Sequence, residues 1–306
     1  MNSQIFVSAK PEAGTSESAA GDHHCGKADS IALSMSAAEG FACLAASISA
    51  DAARFARALH QKADPEVLHK LRVALRRLRS LWWAYEPLLD KKDSALQRSE
   101  FKSLANAAGK TRDWDILRDL LTADRSMQHT FAALLKSVDE HRADALSFSR
   151  RIIGNAGVER ILQRALTGAQ QQLNSRSAIP MLASFAEERV ASAEKALRKR
   201  VKQAASEKHS GYVALHEVRI AGKKLRYLLE FFLPVLDGSH QPAIDRLTSV
   251  QDELGKLNDL VTSETLLREY AFQLGASKAL KEAVGYLQNQ KKSHMHNAHE
   301  ALRTAW

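Results

Sequence analysis

Residues 68–79 read LHKLRVALRRLR, and residues 215–226 read LHEVRIAGKKLR. Six of the twelve positions are identical and four more are conservative, at an offset of 147 residues. The register holds through Pro87-Leu88-Leu89-Asp90 and Pro234-Val235-Leu236-Asp237. A second pair follows about forty residues later, Gly109-Lys110-Thr111-Arg112-Asp113 and Gly255-Lys256-Leu257-Asn258-Asp259. Two motifs repeated in the same order describe a chain built from two related halves, because an internal repeat reports the architecture before any single element does.

Each copy reads as a helix. Asp64 before Pro65 supplies an N-cap with proline at the first helical position. On a wheel of 100° per residue His69, Arg72, Arg76 and Arg79 fall at about 0°, −60°, −20° and −80°, with Arg77 off the edge at about 80°. Leu68, Leu71, Leu75, Leu78 and Trp82 occupy the neighbouring arc and face a core. The second copy repeats the stripe with His216, Arg219, Lys223 and Arg226, and Lys224 stands in place of Arg77.

From about Ser36 onwards the chain is rich in Ala, Leu, Arg and Glu, with apolar residues at spacings of three and four and few β-type alternations. The expectation is an all-α protein: two pseudo-symmetric four-helix bundles, the first over 35–155 and the second over 180–306, joined by a connection over 156–179. Residues 1–34 lack periodicity and read as a flexible tail. Of 306 residues, 44 are Lys or Arg and 35 Asp or Glu, and 45% are hydrophobic, which suits a globular core and a polyanionic partner. Cys25 and Cys43 are too few for a disulfide framework, and the N-terminus has no secretory pattern. Ile31–Ala50 is broken by Glu39, Gly40 and four serines, so no membrane span is expected and the reading is cytoplasmic.

A charge stripe is ordinarily the solvated face of an amphipathic helix. Two features argue otherwise: the stretch 69–79 contains no acidic residue to give i,i+4 pairs, and the stripe recurs. Arg grips phosphate oxygens in bidentate fashion and Lys adds point charge, so a linear anion is the natural complement. His69 and His216 read either as interfacial histidines held by a carboxylate or as phosphate contacts. The glycine motifs read either as helix ends and tight crossings or as support for the stripe, with Asp113 and Asp259 orienting arginines while Lys110, Arg112 and Lys256 add to the field. No metal is expected: each motif histidine is surrounded by cations, and His23-His24-Cys25 and His294-His296-His299 offer poor ligand geometry. No cofactor is implied either, since Gly21–Lys27 has P-loop spacing but lacks the Ser/Thr after the lysine and a preceding strand. There is no recognisable catalytic motif, so the chain reads as a binding protein and not an enzyme. The alternatives are a phosphatase or phosphotransferase using the motif histidines, and a nucleic-acid binder, which aromatic residues at 6% do little to support.

At His69-x-x-Arg72-Val73-x-x-Arg76-Arg77-Leu78-Arg79 and His216-x-x-Arg219-Ile220-x-x-Lys223-Lys224-Leu225-Arg226 the sequence resembles the CHAD family, the conserved histidine α-helical domain. Gly109-x-x-Arg112-Asp113 and Leu254-Gly255-x-x-Asn258-Asp259 resemble that family's second motif, and the likeness spans about 35–306. The resemblance implies paired helical bundles around a basic central groove or pore that binds inorganic polyphosphate, with granule-associated proteins as further partners. It carries His69, Arg72, Arg76, Arg77, Arg79 and their counterparts into the binding surface. Glu217 in place of Lys70, Gly222 within the second helix and Ala108 before Gly109 are the departures.

Overall fold

The computed structural model describes residues 31–61, 64–206, 211–238, 240–275 and 277–305, so most of the expected tail, with His23-His24-Cys25 and Gly21–Lys27, lies outside the described residues. Of the tail's last residues, Ile31 is buried in the core. The described residues are all-α, apart from one isolated bridge between Ser36 and Met181. In order the helices are α1 (Ala37–Gln61), α2 (Pro65–Ala84), α3 (Lys91–Thr122), α4 (Gln128–Asn155), α5 (Val158–Asn174), α6 (Leu182–Ser206), α7 (Tyr212–Phe232), α8 (Gln241–Glu269) and α9 (Lys278–Ala305). None of them is long and apolar enough to cross a membrane.

Local chemistry sets the element boundaries. Asp64 caps α2 by accepting a hydrogen bond from the Glu66 amide at 2.9 Å, ahead of Pro65. Asp90 caps α3 by accepting from the amides of Lys92 and Asp93. Pro87 and Pro234 lie in matching single 3₁₀ turns, Glu86–Leu88 and Leu233–Val235, that separate α2 from α3 and α7 from α8. Gly222 does not interrupt α7; the space its missing side chain leaves is taken by Gln251, whose amide nitrogen lies 3.2 Å from where a Cβ would be.

The repeat is legible in the elements. The pairs α1/α6, α2/α7, α3/α8 and α4/α9 begin and end within three residues of the 147-residue offset, and each helix packs against its own counterpart. The stretch 156–179, expected as a connection, carries α5, whose Val158, Leu162, Ala165, Ala169 and Leu173 are buried at spacings of three and four while the helix lies against α1.

Two apolar cores result, and the halves share both. The larger runs through α1, α2, α5, α6, α7 and the amino-terminal parts of α3 and α8. Its aromatic centre is Tyr85, 5.0 Å from Phe41 and 4.7 Å from Phe185 between ring centres. The smaller joins Trp114, Leu117 and Leu121 of α3 and Phe131, Leu134 and Val138 of α4 to Leu260 and Leu267 of α8 and Leu280, Ala283 and Leu287 of α9. Within the larger core α2 and α7 lie side by side, backed by α3 and α8.

Candidate functional site

Burial of Leu68, Leu71, Leu75, Leu78 and Trp82 on α2, and of Leu215, Val218, Leu225 and Leu229 on α7, leaves each cationic stripe on the flank of its helix. The stripes converge. Arg76 of α2 donates from Nη2 to the Tyr227 hydroxyl of α7 at 3.2 Å. Arg76 also lies within the field of Arg219 and Lys223, and Lys223 in turn within that of Arg226. Arg79 is close enough to Arg76 and Tyr227 to feel both.

The second motif is brought to the same place from behind. Asp113 of α3 and Asp259 of α8 both act on Arg72, and Arg112 acts on Arg72 and on both carboxylates. Gly109 is not a helix end: it sits within α3, facing α2, and a Cβ there would stand 1.4 Å from Nη1 of Arg72. The arginine therefore occupies the space that glycine leaves. Gly255, its counterpart in α8, has nothing within 4 Å of its would-be Cβ.

The electrostatics is that of cations gathered in excess of carboxylates. Burial, reinforced by Arg76, Arg219 and Arg226 and opposed by Asp259, brings the Lys223 ammonium down to about 6. Burial likewise lowers Arg72, Arg79 and Arg219 from their ordinary values, and guanidinium groups still stay charged at neutral pH. Burial raises the carboxyls of Asp113 and Asp259 against the pull of the arginines beside them, and Asp113 is raised further by Asp259. Arg226 has its own partner in Glu230 at 3.4 Å, and Asp113 and Asp259 together cannot neutralise Arg72, Arg76, Arg79, Arg112 and Arg219.

Other motif residues stand at the margin or away. Arg77 places its guanidinium 5.7 Å from the centre of the Phe231 ring. Lys224 lies over the Trp83 ring at 4.8 Å, where Arg189 also approaches to 5.0 Å. Lys110 is exposed at the edge of Asp113's field. Lys256 is exposed and tied to Glu253 at 2.7 Å, a carboxylate that His294 also contacts at 3.1 Å. Nδ1 of His216 is 3.2 Å from the Tyr212 hydroxyl, which donates to Oδ1 of Asn258 at 3.1 Å. With its proton committed to Asn258, that hydroxyl accepts from His216, which assigns the imidazole proton to Nδ1. His69 is half-buried one turn before Arg72.

Sequence reading passed over Tyr227, Tyr212, Arg98 and Arg189. Tyr227 follows Lys223 by four residues and Tyr212 precedes His216 by four, so helical spacing alone placed both on the stripe. Arg98, which acts on Arg79 and Lys224, and Arg189, from α6, belong to neither motif and gave no signal.

A family model described as the CHAD domain matches residues 42–268. The crystal structure of the CHAD domain from the plant Ricinus communis superposes with a TM-score of 0.81 at 24% identity, covering 92% of this chain and 95% of that one. PptA from Streptomyces chartreusis superposes with a TM-score of 0.62 at 18% identity, covering 89% of this chain and 99% of that one. At these identities the likeness is one of fold. No curated protein matches the chain by sequence.

Proposed function

The chain belongs to the CHAD domain family, and from that premise we propose that it binds inorganic polyphosphate in the groove between α2 and α7. The observation that carries the reading is the convergence of two cationic stripes on one place, with Arg76 bonded to Tyr227 across the junction and Lys223 beside three arginines. Like charges brought together at a half-buried site repel one another, and a multivalent anion relieves that cost. Arg72 to Arg79 spans about 10 Å of helix, so the charges are spread along a line that suits a chain of phosphates. Arg72, Arg76, Arg79, Arg112, Arg219, Lys223 and Arg226 make the contacts; Asp113 and Asp259 hold Arg72 and Arg219 in place. His69, His216, Arg77, Lys110, Lys224 and Lys256 contribute at the rim. Binding of this kind would also hold the protein at polyphosphate granules.

Selectivity over nucleic acid follows from the same surface. Base stacking needs an open aromatic face, and Trp83 carries Lys224 and Arg189 against its ring. The test is competition: protein on labelled long-chain polyphosphate at physiological salt, challenged with DNA at equal phosphate concentration, with product analysis of the mixture. Retention of polyphosphate, without released phosphate, is expected. Equal displacement by DNA would reduce the site to a general polyanion surface, and released phosphate would replace the binding reading with an enzymatic one.

A further inference from the structure

The line that Arg72, Arg76 and Arg79 draw along α2 continues to Trp83. That residue follows Arg79 by one turn, and on a wheel of 100° per residue Arg76, Arg79 and Trp83 all lie within about 40° of Arg72. Lys224 of α7 stands over the Trp83 ring at 4.8 Å; Arg189 of α6 stands at 5.0 Å and also donates to the Trp83 carbonyl at 3.3 Å. An aromatic face holds a cation in place without cancelling its charge. From α3, Arg98 reaches Glu86, in the turn that follows α2, at 3.3 Å. These groups share one field with the groove: burial lowers the Lys224 ammonium, Arg98 and Arg79 lower it further, and Glu86 and Glu217 oppose them. Arg189 feels Glu86 as well, together with the exposed Glu188 beside it. Cations from three helices therefore meet where the α2 line ends.

The repeat builds this end once. Arg77 meets Phe231 and Trp83 meets Lys224, so α2 and α7 run antiparallel and the equivalent place on α7 lies at the opposite end of the groove. Buried positions fix the correspondence. The offset is 147 between α2 and α7, where Leu78 and Trp82 match Leu225 and Leu229. It is 146 between α3 and α8, where Phe101 and Leu104 match Leu247 and Val250, and 145 between α1 and α6, where Phe41 and Ala45 match Ala186 and Val190. In those registers Trp83, Arg98 and Arg189 correspond to Glu230, Ile244 and Leu44. Leu44 is buried, Ile244 packs against the larger core, and Glu230 lies 3.4 Å from Arg226. Lys224 alone of the four keeps a cationic counterpart, Arg77. The groove is thus cationic beyond one end and carries a carboxylate and apolar residues at the other.

We propose that the groove has a single exit: a polyphosphate chain longer than the groove leaves it past Trp83, where Arg98, Arg189 and Lys224 take the phosphates beyond Arg79. The proposal rests on the polyphosphate reading of the groove. Arg72 to Trp83 spans about 16 Å of helix, so the exit adds affinity only for a chain long enough to reach it while held between α2 and α7. Glu86 occupies Arg98 until such a chain arrives and competes with it for the same guanidinium.

The test compares tripolyphosphate with long-chain inorganic polyphosphate on four proteins: the wild type, an exit variant carrying Arg98→Gln and Arg189→Gln, Glu86→Gln, and a charge-matched control carrying Lys136→Gln and Lys281→Gln. The exit variant is expected to lose about tenfold or more in affinity for long chains, with a salt slope shallower by about one to two, and to lose far less for tripolyphosphate. Glu86→Gln frees Arg98 and should raise long-chain affinity about two- to fivefold, a gain that a folding defect does not produce. The control keeps long-chain affinity. Unchanged long-chain affinity in the exit variant, equal losses for the two probes, or an equal loss in the control would each overturn the exit. So would long-chain affinity that stays level or falls in Glu86→Gln. Failure of the groove reading shows separately, as tripolyphosphate binding indifferent to Arg76→Ala combined with Arg219→Ala, and would overturn the exit with it.

Discussion

Lys223 concentrates the electrostatic argument in one side chain. Arg76 from α2, Arg219 and Arg226 from α7 and Asp259 from α8 face it, and burial together with the three arginines holds its ammonium at about 6 instead of the usual 10.5. Its folded value is depressed, so at neutral pH the unfolded chain carries a proton that the folded chain has given up. That is destabilising in full below about 6, and the penalty fades as pH rises towards 10.5. Lys223→Met should therefore raise the thermal midpoint at pH 7, with the gain shrinking towards pH 10; no gain at pH 7 would contradict the burial. A polyanion reverses the balance, because negative charge beside the amine draws its proton back. Binding should then take up about one proton at pH 7–8, so affinity falls by up to tenfold per pH unit above about 6. Calorimetry in buffers of different ionisation enthalpy measures the uptake directly, and Lys223→Met should abolish most of it.

Among the elements, α3 and α8 carry the same glycine motif and use it differently. Alanine is preferred to glycine inside a helix by about 0.5–1 kcal/mol, so both Gly109→Ala and Gly255→Ala favour their helices locally. At Gly255 the space is open, and a gain of that size in urea unfolding is expected with polyphosphate affinity unchanged. At Gly109 the new methyl takes the position of the Arg72 guanidinium, so affinity should fall by about tenfold or more. Equal behaviour of the two variants would refute the role given to Gly109. A structural ion cluster between α8 and α9 offers a contrast: Glu264 accepts from Arg268, Gln288 and Lys291 and its carboxyl is held down at about 2. Its stabilisation is present above the ordinary 4.5 and lost as pH falls towards 2. Glu264→Gln should cost about 1–3 kcal/mol at pH 7, read from urea unfolding, without affecting affinity, and the cost should shrink in acid. These elements also show what sequence could and could not convey. Helical period and the basic residues were local properties, so α2, α7 and their stripes were legible, as was the cap at Asp64. The occupant of a glycine's missing side chain belongs to another helix, and the Gly-Lys pair shared by Gly109-Lys110 and Gly255-Lys256 carried no trace of the difference. In α5 the polar run Gln170–Gln172 masked the buried Val158, Leu162, Ala165, Ala169 and Leu173, and a connection was expected where a helix lies.

At the scale of the whole molecule, repetition in sequence does not mean independence in folding. Each half of the repeat carries its own α2-like stripe, yet α3 and α4 complete their core only with α8 and α9, and Tyr85 at the end of α2 packs against Phe185 of α6 and Phe232 of α7. Separating the halves would expose both sets of apolar side chains, at a cost of about 25 cal/mol for each Å² returned to water. The halves should therefore unfold as one cooperative unit. Leu267 of α8 is fully buried in the smaller core, and Leu267→Ala is expected to cost about 2–5 kcal/mol. The site of the readout makes this decisive: amide hydrogen exchange in α4, which belongs to the other half, should accelerate by the same free energy as exchange in α9. Acceleration confined to α8 and α9 would show two autonomous bundles. Shared unfolding has a consequence for the proposed binding, since α2 and α7 come one from each half, and an anion that bridged them would stabilise every element of the fold at once.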